Sequence, residues 1–196
     1  MRKSWIVLSL LLATGCVSPV TWVGVPVVAE TVLPGQFSVK GQAGWNRLDE
    51  GGKVDRDLWW TVNGAPLDLV RFFTGLAPGQ PMIQVKGQAA QKRMPTFQAK
   101  MQPEEIVEMY EALVTSDGNT FKRDKLAPCA FAGGDGFRFE FTLVRKSDEV
   151  TLKGAGWGVV RNDKLYLMVF QAARIHYYPD LLPKVEAMAA SARIGA

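Results

Sequence analysis

His176 is the one imidazole in the chain, and Asp180 follows it by four residues, so a base held by a carboxylate could be assembled from these two side chains. A base of this kind needs a nucleophile beside it. Ser38, Ser116, Ser147 and Ser191 are the serines to consider, and none stands in the tight glycine-flanked turn that exposes a catalytic hydroxyl. Metal chemistry needs clustered His, Cys or carboxylate ligands, and a single histidine with no closely spaced cysteines argues against zinc. Gly133-Gly134-Asp135-Gly136 is glycine-rich but lacks the following lysine and helix of a phosphate-binding loop, so it reads as a turn. The expectation is a protein without catalysis, metal or cofactor.

The remaining polar chemistry suits binding. In Arg174-Ile175-His176-Tyr177-Tyr178-Pro179, a guanidinium, an imidazole and two phenols crowd a connection between two elements. Arg174, His176, Tyr177 and Tyr178 therefore form a candidate binding surface. In the competing reading one tyrosine packs across the sheet edge while Arg174 stays solvated. Trp59, Trp60 and Trp157 are candidate pocket aromatics, set against the plainer reading that they fill the core. Cys129 lies among Pro128, Ala130 and Phe131, which points to a buried, inert thiol.

Cys16 stands in a different setting. Arg2 and Lys3 precede an apolar run over residues 5–13, too short to cross a bilayer as a helix and of the length of a secretory h-region. Leu12-Ala13-Thr14-Gly15-Cys16 resembles the bacterial lipoprotein box, with Ala13 at a position where that box usually has leucine. The resemblance implies cleavage after Gly15, diacylglycerol on the Cys16 sulfur and an acyl chain, palmitate for instance, on the new amine. Val17, in place of an aspartate, implies transfer to the outer membrane. Several acyl chains anchor stably where one binds only marginally. A lipidated Cys16 leaves Cys129 without a disulfide partner; an unmodified Cys16 could pair with it.

Removal of a leader over 1–15 leaves 181 residues, with 21 basic and 19 acidic side chains. The formal charge of +4 falls to +2, so the basic balance is no argument for nucleic acid. Lys92-Arg93 and Lys122-Arg123 are short clusters that read as solvated turns.

The elements that must position these groups follow from periodicity. Residues 16–35 carry Pro19, Pro26 and Pro34 and read as a lipidated tether, with an added edge strand over 23–28. Strands are expected over 37–40 and 57–62, then over 67–73 after an Asn63-Gly64 turn. Pro103, Glu104 and Glu105 open a helix whose stripe is Ile106, Tyr110, Leu113 and Val114. Phe137, Phe139, Phe141 and Leu143 alternate with polar residues, the mark of a half-buried strand. The next strand, over 150–160, sets Gly154, Gly156 and Gly158 on one face, bare enough for a bulky neighbour to approach. A strand over 165–172 is apolar on both faces and reads as central. A last helix starts at Pro179, with Pro183 near its first turn. The expected architecture is α+β: one domain over 36–196, a mostly antiparallel sheet covered by two amphipathic helices.

This order of elements resembles the PsbP/Mog1-like fold, mainly through the glycine-bearing strand pair over 150–172 and the closing helix that ends Ser191-Ala192-Arg193-Ile194. The resemblance implies accessory and protein-binding roles but transfers no mechanism. The expected protein is a non-catalytic lipoprotein on the periplasmic face of the outer membrane. Its expected partners are the membrane, through Cys16, and an envelope protein, with no nucleic acid. The alternative is a small-ligand carrier with a pocket between sheet and helices.

Overall fold

The computed structural model describes residues 21–27, 30–33, 36–49, 57–84 and 94–195. The leader, Cys16 and the Lys92-Arg93 cluster lie outside these residues. Among the described residues the chain forms β1 (Thr21–Gly24), β2 (Glu30–Leu33), β3 (Phe37–Lys40), β4 (Asn46–Asp49), β5 (Asp57–Thr61), β6 (Asp68–Leu76), α1 (Pro103–Thr115), β7 (Thr120–Phe131), β8 (Gly134–Val144), β9 (Thr151–Arg161), β10 (Lys164–Ala173), α2 (Tyr177–Ser191) and β11 (Arg193–Ile194). Eight strands make one antiparallel sheet in the order β1-β4-β5-β6-β10-β9-β8-β7, and β11-β3-β2 make a second, smaller one.

The centre of the large sheet is buried on both faces. On β10, Leu165, Leu167 and Val169 join α1 in one core, while Tyr166, Met168, Phe170 and Ala172 join α2 and the small sheet in the other. That division explains why β10 is apolar throughout. The two helices therefore cover opposite faces, one each, not a single apolar face.

Local chemistry accounts for the element ends. The Gln102 N–H donates to the Glu105 carboxylate at 2.7 Å, which closes the start of α1. Ala132-Gly133 and Asn162-Asp163 all take positive φ, as two-residue hairpins between right-twisted strands require. At the β5–β6 turn the buried Asp68 carboxylate accepts from Val62 N (2.6 Å), Asn63 N (2.8 Å), Asn63 Nδ2 (2.9 Å) and Thr61 Oγ1 (3.0 Å). A carboxylate so occupied is a turn clamp.

Three expectations change. The stretch read as a tether contributes β1, paired with β4, and β2, paired with β3, and it buries Val25 and Leu33. Lys122-Arg123, expected as a solvated turn, falls within β7, a twelve-residue strand on the sheet margin whose outward residues are solvated. Helix α2 begins at Tyr177, so Pro183 falls inside it, where its missing N–H forfeits one helical bond.

Candidate functional site

The connection from β10 to α2 is held from both sides. Ala173 N donates to Leu67 O at 2.9 Å, and Arg174 N donates to Thr151 O at 3.1 Å. The fixed turn leaves Ile175 86 % exposed, beside a shallow groove of about 330 Å³ lined by Val150, Thr151, Ala173, Arg174, Ile175, His176 and Tyr177. Arg174 and His176 are exposed and Tyr177 is half-buried, so three of the four expected surface residues meet here. Tyr178 turns away from the groove. Its ring stacks on Phe170 with centroids 5.6 Å apart, and burial pushes its hydroxyl up to about pKa 12, helped by the Glu140 charge. Tyr178 therefore fits the packing alternative.

His176 Nδ1 lies 3.4 Å from Asp180 Oδ2, so the expected pair does form, on the surface. No serine or cysteine lines the groove. Two serine hydroxyls are occupied elsewhere as helix-end donors, Ser116 to Leu113 O (2.8 Å) and Ser191 to Met188 O (2.6 Å). Among the described residues no group of three His, Cys, Asp or Glu could hold a metal ion.

The three tryptophans do not converge, because neighbouring residues of a strand face opposite ways. Trp60 and Trp157 are buried in the core beneath α2. Trp59 lies on the other side of the sheet, in a cleft of about 330 Å³ beside the end of α1, with Arg71, Leu113, Asn119, Arg145 and Gln171 among its walls. There the Arg71 guanidinium sits 5.4 Å from the Trp59 ring and 5.0 Å from the Phe73 ring. Arg145 donates to Pro66 O at 2.8 Å and to both Asp148 oxygens, which raises its already high pKa. Of the three candidate pocket aromatics, Trp59 alone lines this cleft; a further signal in the sequence is Arg71 on the same strand face as Leu69 and Phe73, a charge amid apolar neighbours.

A charged rim borders the α2 face. Arg138 lies over Trp157 at 5.5 Å and bridges Glu140 and Glu186, the latter at 3.1 Å. Nearby, Asp124 accepts from Lys153 (2.8 Å) and Thr142 (2.7 Å); burial raises its pKa, but these bonds outweigh that and hold it below the usual carboxylate value. Cys129 is half-buried, and burial pushes its thiol pKa up, in keeping with an unreactive sulfur.

This architecture is similar to the solution structure of cyanobacterial PsbP (CyanoP) from Synechocystis sp. PCC 6803. The TM-score is 0.59 at 11% identity, over 92% of this chain and 100% of that one. The fold is PsbP-like. Weaker likenesses are to a crystal structure from Bacteroides thetaiotaomicron VPI-5482 (TM-score 0.48, 9% identity, 87% of this chain and 49% of that one) and to the protein PA94 of unknown function from Pseudomonas aeruginosa (TM-score 0.41, 9% identity, 78% of this chain and 92% of that one). No family model and no curated protein matches the chain.

Proposed function

We propose that this protein is a non-catalytic envelope lipoprotein, anchored through Cys16 at the periplasmic face of the outer membrane, where it serves as an accessory, protein-binding subunit. The observation that carries the reading is Leu12-Ala13-Thr14-Gly15-Cys16 after a charged and apolar leader, set five residues ahead of the first described strand. The groove at Arg174–Tyr177 supports the partner. A fully presented isoleucine flanked by arginine, histidine and tyrosine is the composition of a small contact patch with an apolar centre and polar rim.

Two measurements test it. Intact-mass analysis of the membrane-extracted protein is expected to show a chain that starts at a diacylglyceryl and N-acyl Cys16, and Cys16→Ser is expected to leave the leader uncleaved. A photo-crosslinking residue at position 175 is expected to give one discrete adduct in intact cells, absent with the same residue at the exposed Lys164. An unmodified Cys16 sinks the anchoring, and equal adducts at both positions sink the partner surface.

A second reading rests on the cleft beside Trp59. An aromatic wall and apolar leucines beside a few polar side chains suit a small ligand with an apolar body. Native mass spectrometry of protein purified from the envelope is expected to retain such a ligand, and Trp59→Ala to lose it, if the chain is a carrier.

A further inference from the structure

The first described strand presents apolar side chains at the margin of the sheet. All four residues of β1 are exposed, and within the described residues no strand pairs with its outer side. Five large apolar side chains are exposed among the described residues. Three of them, Trp22 (44 %), Val23 (37 %) and Val27 (52 %), fall within six consecutive positions here. Register divides the margin: Trp22 pairs with Leu48, and Val23 pairs with Arg47, which is exposed and cationic. An indole, two valines and a guanidinium along one edge match the headgroup level of a bilayer, where amphipathic rings and cations are favoured.

Chain length ties this edge to the membrane. Thr21 follows Cys16 by five residues. Even fully extended, five residues span at most about 18 Å. A lipid on Cys16 therefore keeps the start of β1 close to the bilayer, whatever path the chain takes. The opposite margin, β7, lies seven strand spacings away, or about 34 Å at the usual interstrand distance. The anchor itself selects which edge meets the membrane.

We infer that the β1 margin, with Trp22, Val23 and Val27 beside Arg47, docks into the headgroup region of the bilayer that holds the Cys16 lipid, and so stands the sheet on edge. This rests on the lipid anchor proposed above. The acyl chains supply the affinity, and the margin supplies the orientation.

The test uses the full-length gene product, expressed with its leader and purified in detergent. Cys16 is checked by intact mass, and the protein is reconstituted into phosphatidylethanolamine–phosphatidylglycerol vesicles with brominated acyl chains. Bromine is expected to quench part of the tryptophan emission, and Trp22→Phe is expected to remove the greater part of that quenching while circular dichroism stays unchanged. Val27→Asp is expected to reduce it in protein that keeps Trp22. Equal quenching in the native and Trp22→Phe proteins, both carrying the lipid, overturns the docking and leaves the anchor standing. Disulfide-linked pairs formed by Trp22→Cys on the vesicles, with quenching unmoved in Trp22→Phe, assign the edge to a second copy and overturn it as well. An unmodified Cys16 removes the premise and the proposed function together.

Discussion

The two faces of the large sheet are filled by different means. Beneath α1, the middle of β9 is bare between Leu152 and Val160: Gly154, Gly156 and Gly158 stand directly opposite Phe141, Phe139 and Phe137 of β8. The phenylalanine rings lie across the strand onto those glycines. A Cβ added at Gly154 would come within 2.0 Å of the Phe141 ring, at Gly156 within 2.2 Å of Phe139, and at Gly158 within 2.4 Å of Phe137. Helix α1 then rests on the rings through Tyr110, whose centroid is 6.0 Å from Phe139 and 5.7 Å from Phe141. Beneath α2 the same strand fills its own space with Ala155, Trp157 and Val159. One face therefore depends on the register between two strands, while the other depends on each strand's own side chains. Coupled substitutions should expose the first and leave the second additive.

The largest effect is expected at Gly156→Val. Three atoms of the fully buried Phe139 ring lie within 3 Å of the new Cβ, and overpacking of this severity should destabilise by on the order of 5 kcal/mol. Denaturant melts check it. Phe139→Ala alone should cost about 4 kcal/mol through the lost ring, yet the Phe139→Ala/Gly156→Val double variant should be more stable than Gly156→Val alone. Additive losses would break the register argument.

Asp68→Ala is expected to act on both faces at once, because it releases the turn that leads into β6, a strand that lines both cores. The orphaned turn amides predict a loss of about 2–3 kcal/mol, readable by the same melts. On the α2 face, Arg138→Ala removes a ring contact and two partly exposed ion pairs. A loss of only about 0.5–1 kcal/mol is expected. A cycle with Trp157→Ala sharpens the contrast if its coupling is far below that of Phe139 with Gly156.

The smallest effect is a pH dependence. Burial raises the Tyr178 hydroxyl from the ordinary 10 to about 12. Folded protein then holds this proton more tightly than unfolded chain, so the contribution is complete below pH 10 and is lost as pH climbs towards 12. Tyr178→Phe should flatten that part of the stability curve, and ultraviolet difference titration should place the missing transition near pH 12.

Much of this arrangement is legible in the sequence where one face of an element is buried. The alternation at Phe137–Leu143, the double-sided apolar run of β10 and the proline-led start of α1 each state their role locally. The bare glycine face of β9 is equally visible, but the identity of the group that covers it is a matter of pairing between distant positions. β7 is hard to see because it lies on the margin, is largely solvated and slips register between Arg123 and Lys125. The same holds for β1 and β2, whose four residues each are too few to show a period amid Pro19, Pro26 and Pro34. At the groove, the turn was evident from its residues. Which tyrosine faces outward depends on where α2 begins, and the helix starts at Tyr177, two residues ahead of Pro179.

The distal margin has one further consequence. β7 carries Lys122, Arg123 and Lys125, offers no amide hydrogen at Pro128 and kinks near Asp124. Such a border repels an incoming chain and gives it no continuous ladder to zip onto. Crowded molecules should thus resist stacking into fibrils from this side.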